Sequence, residues 1–294
     1  MKIGVFAVRD LNNSKDLPKF RQAAYKLSID IDFYNPKDIC IKVINNNVSI
    51  SKKDGNRVLL DGAVNWIPYA KYDEISLCFE AMKIPFINNI DAVRRCRNKV
   101  LTNLALAKYK FNQPQSLYYP HMITSNDIEP NISYPFIYKK KNGSHGIGSQ
   151  KFNSPIDLNN LLMERFPKDS LYFQEYIKNR GYDYRILVVG DKVVGGIKKY
   201  YKVGEWRTHV AHGGSIEYFD VPDKMKSICI NILKALNLDF AGIDIMPDTE
   251  GLNYILEVNS VPGMSIFYNL TDINLAEEIL LHLKSLINLS AQNN

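Results

Sequence analysis

The chain has 294 residues, 46% of them hydrophobic and 23% charged, with a formal net charge of +6. These are the proportions of an ordinary globular protein, long enough to bury a substantial core in two or three structural units. The positive balance is dispersed, its densest run being Lys139-Lys140-Lys141. That argues against a nucleic-acid binder and suits a small anionic ligand or an acidic partner. Cys40, Cys78, Cys96 and Cys229 are scattered without zinc-ligand spacing, and no apolar run is long enough to span a bilayer. With a strand at the very start of the sequence and no leader pattern before it, the expectation is a cytoplasmic protein with reduced thiols and no membrane partner.

In chain order, Ile3–Val8 reads as a buried strand, 18–27 as an amphipathic helix and Ile29–Tyr34 as a second strand. Short strands are expected at 43–50 and 58–60, on either side of the turn Lys53-Asp54-Gly55-Asn56. Asp61–Trp66 reads as a strand end with a loop, followed by a helix over 73–83 and a strand at 85–88. This is the pattern of a small α/β unit with a mainly parallel sheet. It lacks a G-x-G-x-x-G fingerprint after its first strand, so it is not read as a dinucleotide site. Ligands of such sheets lie at the carboxyl ends of strands, which singles out Arg9, Asp10 and the surroundings of Asn65. One long helix is expected over 90–110, with Asp91 as its cap. Strands follow at 135–139, 150–152, 171–177, 184–189 and 192–198, with helices over 156–166, 223–236 and 274–289.

Four stretches carry chemistry. The segment from Asp239 to Met264 reads as a hairpin, with strands at 241–246 and 253–259. Asp244, Glu257 and Asn259 share one of its faces. Two carboxylates and an amide oxygen on an otherwise apolar hairpin repel unless a positive centre lies between them. Magnesium with bound phosphates meets that need with hard oxygen ligands; water-facing edge residues are the plainer alternative. The loop Lys141–Ser149 between two strands holds three glycines, whose backbone N–H groups can wrap phosphate oxygens, although a glycine-rich hairpin tip is as common for structural reasons. Lys139 leads into it. Gln174-Glu175-Tyr176-Ile177 can offer backbone groups and an apolar wall to an adenine. Finally, Asp183 and Arg185 alternate on one strand, and Lys199, Arg207, His209 and His212 gather donors close by, as a developing phosphoryl charge requires.

Taken in order, these pieces resemble the ATP-grasp superfamily, and within it the RimK-type amino-acid ligases. The matching stretches are Asn98-Lys99, Gly143-Ser144-His145-Gly146-Ile147-Gly148, Gln174–Ile177, Asp183-Tyr184-Arg185 with Val188–Asp191, Gly204–Thr208, Gly213-Gly214, Ala241–Asp244 and Glu257–Gly263. The resemblance implies an α/β (α+β) ATP-grasp fold in three parts. These are a Rossmann-like pre-ATP-grasp domain at 1–89, a central lid subdomain at 90–173 and a C-terminal antiparallel-sheet subdomain at 174–294. It implies ATP as a bound nucleotide and Mg2+ as the metal, with Mn2+ as a substitute. Lys99, Lys139, Gly143, Ser144, Gly146, Ile147 and Gly148 would meet the phosphates. Gln174, Glu175, Tyr176, Ile177 and Asp183 would complete the nucleotide contacts. Asp244, Glu257 and Asn259 would hold the metal, with Arg185, Lys199 and Arg207 around an acyl phosphate. The implied reaction joins a small-molecule amino acid, glutamate among them, to a peptide, protein-tail or small-molecule acceptor. The implied assembly is a homodimer or homotetramer, with no nucleic acid. Other ATP-grasp ligases, such as D-alanine–D-alanine or peptide-modifying enzymes, and an inactive ATP-binding regulator are the alternatives. Three positions depart from the family pattern where an amino-acid substrate would lie: His209, where Asn is common, His212, where Arg or Gln is, and Lys199, where Arg is frequent.

Overall fold

The computed structural model describes residues 1–8, 12–67, 72–121, 124–142, 148–164, 170–202 and 214–292. Strand β1 (Lys2–Phe6), helix α1 (Leu17–Leu27) and strand β2 (Asp30–Tyr34) open the chain. α1 buries Leu17, Phe20, Ala23 and Ala24 at helical spacing, and stops where Ser28 turns left-handed at φ 53°. Strands β3 (Ile39–Ile44) and β4 (Asn47–Lys52) form a separate antiparallel hairpin. Strand β5 (Gly62–Asn65), helix α2 (Asp73–Ala81) and strand β6 (Phe86–Ile87) return to the first sheet, whose order is β2-β1-β5-β6, all parallel. The strand expected over 43–50 is therefore two strands. Asn45 and Asn46 both take positive φ, 49° and 63°, the geometry of a tight hairpin turn. Residues 58–60 form no strand; only Arg57 bridges to Ser51.

The long helix expected over 90–110 is also two: α3 (Ile90–Arg97) and α4 (Lys99–Lys108). Asn98 leaves helical geometry at φ −100°, ψ 104°, and its side chain accepts from the N–H groups of Val100 and Leu101. Asn89, not Asp91, caps α3, accepting from Ala92 N at 3.0 Å.

Strands β7 (Ser116–Tyr119), β8 (Phe136–Lys139), β9 (Gln150–Phe152) and β10 (Leu171–Glu175) build a second, antiparallel sheet in the order β7-β10-β8-β9, with helices α5 (Ser125–Ile128) and α6 (Pro155–Glu164) against it. Strands β11 (Tyr182–Val189), β12 (Lys192–Tyr200), β13 (Ile216–Phe219), β14 (Phe240–Pro247) and β15 (Asn253–Asn259) make the third sheet, β13-β12-β11-β14-β15, also antiparallel. Helix α7 (Asp223–Leu236) spans the expected residues, and α8 (Ser265–Thr271) and α9 (Leu275–Gln292) end the chain.

Alternation along β11 shows how the third sheet is used. Ile186 and Val188 face α7 and α3, together with Cys229, Leu233, Ala92 and Ile243. Leu187 and Val189 face the other way, into a core shared with β1, β5, α1, α8 and α9, where Val5, Val64, Trp66, Phe240, Phe267 and Leu280 meet. One continuous core thus joins the first sheet to the third. No helix among the described residues is long and apolar enough to cross a membrane.

Candidate active site

β14 is an interior strand of the third sheet, between β11 and β15, and all eight of its residues are buried. A carboxylate on such a strand needs partners, and the register supplies them. Arg185 of β11 and Glu257 of β15 lie directly opposite Asp244 on its two sides, Asn259 lies opposite Gly242, and Lys199 lies opposite Asp183. The period of two puts Asp183, Arg185, Lys199, Asp244, Glu257 and Asn259 on one face, contributed by four adjacent strands. A register shift after Asp244 keeps Glu257 opposite it although one extra residue lies on β15.

The contacts are short. Arg185 donates to both oxygens of Asp244, Nε to Oδ1 at 2.9 Å and Nη2 to Oδ2 at 2.7 Å. Lys199 Nζ lies 3.1 Å from Asp244 Oδ1 and 2.9 Å from Asp183 Oδ1. Asn259 Nδ2 donates to Asp244 Oδ2 at 3.2 Å. Glu257 lies 3.6 Å from Lys99 Nζ at the start of α4. Asp183 is 1% exposed, Asp244 5% and Lys199 7%, so this is a largely dehydrated knot of two carboxylates and two cations. Burial alone raises the Asp244 pKa. The charges of Arg185 and Lys199 outweigh it and hold the carboxyl below its ordinary range. Burial likewise disfavours the Arg185 cation, and Asp244 outweighs that, raising the guanidinium pKa above its usual value.

Across from this face stands the second sheet. Lys139 donates to Gln174 Oε1. Gln174 Nε2 donates to the Tyr172 hydroxyl at 3.2 Å, which lies 3.0 Å from Ser116 Oγ; Asn103 Nδ2 donates to that Oγ at 2.9 Å. Burial, then the neighbouring Lys99, push the Lys139 ammonium down to about 8, although Glu257 and Asp244 pull the other way. The lysine is half-buried. Its folded pKa lies below the unfolded value of 10.5, so the charged form costs stability at neutral pH, and the cost lifts as pH rises from about 8 toward 10.5. Lys139→Met is therefore expected to stabilise the protein by ~1–3 kcal/mol at pH 7 while weakening nucleotide binding. A urea midpoint below the wild type's at pH 7, or no narrowing of the gap by pH 10, would contradict this.

Of the other expected residues, Glu175 ends β10, where its N–H donates to the Gln115 carbonyl at 2.9 Å. Tyr176 lies under Lys151, whose Nζ is 3.7 Å from the ring centroid, and Ile177 is buried. Gly148 adopts φ +76°, as a phosphate-loop glycine can. Gly143, Ser144, Gly146, Ile147, Arg207, His209 and His212, like Arg9 and Asp10, lie outside the described residues. The side chain of Gln174, a residue expected among the nucleotide contacts, holds Lys139. The chain Asn103–Ser116–Tyr172 was missed, because no motif links residues so far apart in sequence.

Asn88 was missed too. Fully buried, it donates Nδ2 to the carbonyls of Phe240 and Ser260, both at 2.9 Å. It accepts through Oδ1 from the N–H groups of Asp239 and Phe240 at 2.7 and 3.1 Å. One amide from the end of the first sheet fixes both the entry to β14 and the exit from β15.

Known proteins share this architecture. A solved ATP-grasp ligase, PsnB, complexed with minimal precursor, Mg and ADP, superposes with a TM-score of 0.75 at 15% identity, covering 97% of each chain. The fold is that of the ATP-grasp proteins: a parallel N-terminal sheet followed by antiparallel sheets. A RimK-like ATP-grasp domain model matches residues 96–283. A probable alpha-L-glutamate ligase of Haemophilus influenzae is 33% identical over 208 residues, 69% of this chain and 67% of that one. The tetrahydromethanopterin:alpha-L-glutamate ligase of Methanocaldococcus jannaschii is 27% identical over 74% of this chain and 75% of that one. The chain belongs to the RimK-like ATP-grasp family and is an ADP-forming carbon–nitrogen ligase.

Proposed function

We propose that this ligase adds L-glutamate to a carboxylate-bearing acceptor, using ATP and magnesium and passing through an acyl phosphate. The observation that carries this reading is the single face on which Asp183, Arg185, Lys199, Asp244, Glu257 and Asn259 converge opposite Lys139. The glutamate relatives above support the choice of amino acid.

In this reading Lys99 and Lys139 meet the nucleotide phosphates, together with the glycine loop at Gly143, Ser144, Gly146, Ile147 and Gly148. The segment Glu175–Ile177 borders the adenine, and Asp183 orders Lys199. The donor set fits magnesium: two carboxylates opposite each other in register and one amide, all hard oxygen ligands on one face. Asp244, Glu257 and Asn259 would hold the ion, which when bound neutralises phosphate charge. Arg185 and Lys199, now spent on Asp244, are the cations within reach of a phosphoryl group, and Arg207 belongs with them by its place in the family motif. The chain has no need of a covalent nucleophile: its residues neutralise charge and fix the reacting groups.

The test is to incubate pure protein with ATP, magnesium, L-glutamate and a panel of carboxylate acceptors, peptides and pterin-type cofactors among them. Acceptor-dependent ADP and a product heavier by one glutamyl residue are expected. Nucleotide binding without acceptor-dependent ADP, or a product carrying another amino acid in preference to glutamate, would refute the reading.

A further inference from the structure

The segment Ser260–Ser265 leaves β15 directly after Asn259, and side chains from the first part of the chain hold it at both ends. At its start the buried Ser260 offers its carbonyl to Asn88. In its middle Pro262 folds back over β14. Its Cβ lies 2.8 Å from where a Cβ on Gly242 would stand, and the Arg185 Cδ lies 3.8 Å from the same point. At its end a single carboxylate oxygen, Asp16 Oδ1, accepts from Met264 N and Ser265 N, both at 3.2 Å, and from Ser265 Oγ at 2.7 Å. α8 has no side-chain cap from its own N-cap residue Met264, so a residue 248 positions earlier does that work. The same face of α1 holds α8 again one turn later. Lys19 Nζ lies 3.1 Å from the Tyr268 ring centroid, and Gln22 Nε2 donates to the Tyr268 hydroxyl at 3.4 Å.

Between these anchors the loop is open at Gly263, whereas Val261 packs partly buried against the core and Pro262 is buried. A Cβ on Gly263 would meet none of the described residues within 4 Å, while Met264 beside it is 1% exposed. A segment pinned at both ends, pressed against the strand of Asp244 and bare at its middle glycine is built to present backbone to a ligand beside Arg185.

Resting on the ligase reading above, we propose that Asp16 is a positioning residue for the acceptor. Acting through Ser260–Ser265, it sets the distance between that loop and Arg185 and so places the acceptor carboxylate. In the step it serves, a carboxylate oxygen bonds to the γ-phosphorus. The bond from that phosphorus to the bridging oxygen breaks, and ADP leaves with the electron pair. The amine nitrogen of glutamate then bonds to the acyl carbon, the carbon–oxygen bond to phosphate breaks, and the amine proton passes to solvent. Asp16 touches none of the reacting atoms; a loop displaced by a fraction of an ångström spoils the approach.

The experiment uses the full chain with ATP, magnesium, L-glutamate and glutamate-terminated peptides as acceptors. Asp16→Ala is expected to raise the acceptor KM by about tenfold and to leave the ATP KM unchanged. Asp16→Asn keeps an acceptor oxygen in place and is expected to restore most of the loss. Ser265→Ala, which removes only the 2.7 Å bond, is expected to give a smaller rise in the same parameter. Hydrogen exchange of the nucleotide-bound protein gives a readout independent of turnover. In Asp16→Ala the Met264 and Ser265 amides are expected to exchange faster, while those of β15 do not change. An acceptor KM that does not move, a loss shared equally by ATP and acceptor, or unchanged exchange at Met264 and Ser265 each overturns the role of Asp16. A wild-type protein that turns over no acceptor is a different failure, that of the ligase reading.

Discussion

Asp244→Asn is expected to reduce turnover by at least about a thousandfold, since it strips a charged group from the place where phosphoryl charge must be matched. It is also expected to lower stability by about 3–5 kcal/mol, the usual result of removing one partner from a buried ion pair. The reason is local. Arg185 makes both of its described carboxylate bonds to Asp244, and Lys199 divides itself between Asp244 and Asp183. With a neutral amide at 244, two cations share one buried carboxylate. A urea titration reads the stability and ADP release reads the turnover. Glu257→Gln separates the two effects. Glu257 is partly exposed and only 3.6 Å from its cation, Lys99, so its loss is expected to leave the urea midpoint within about 1 kcal/mol of wild type while still suppressing ADP release. Full activity in either variant would remove these residues from the proposed metal site.

Asn88→Ala is expected to cost about 3 kcal/mol or more, with no active-site side chain changed. Four backbone groups lose their partner at once, the carbonyls of Phe240 and Ser260 and the N–H groups of Asp239 and Phe240. Each unsatisfied buried group carries a penalty of about 1–3 kcal/mol, and entering water recovers only part of the total. Asn88→Asp is expected to fare no better, because a carboxylate cannot donate to the two carbonyls. The check is the denaturant midpoint of each variant. A loss below about 1 kcal/mol in Asn88→Ala would mean that the bridge is not a stability element.

Elements specified by neighbouring residues are legible in this sequence, and those specified by distant residues are not. α7 could be read to the residue because Met225, Cys229, Ile232, Leu233 and Leu236 repeat a helical stripe. The convergence of Asp244, Glu257 and Asn259 was readable because the hairpin that joins them is local. What escaped has one of two causes. Some of it is side-chain capping that defeats periodicity: apolar spacing runs on through residues 90–110, and only the second role of Asn98 as a cap breaks it. The rest is contact at long range. Asn88 reaches Phe240 and Ser260, Asp16 reaches Met264, and Tyr172 reaches Ser116, and nothing in the neighbouring sequence announces any of these. Short elements such as β13 and α8 went unread for a related reason. At four and seven residues they are too brief to show a period, and α8 takes its cap from another part of the chain.

The interruption at Asn98 bears on how the two sheets are linked. Inside an unbroken helix the Lys99 amide would be consumed by the carbonyl four residues earlier. Because the helix restarts there, that amide is surplus, and it donates to the Lys141 carbonyl at 3.1 Å. One residue therefore serves two elements: its side chain reaches Glu257 on β15 and its backbone ties down the exit from β8. A lysine in the middle of a continuous helix could do the first but not the second. The break is thus a joint, and it carries the root of the glycine loop on the same residue that faces the last strand of the opposing sheet.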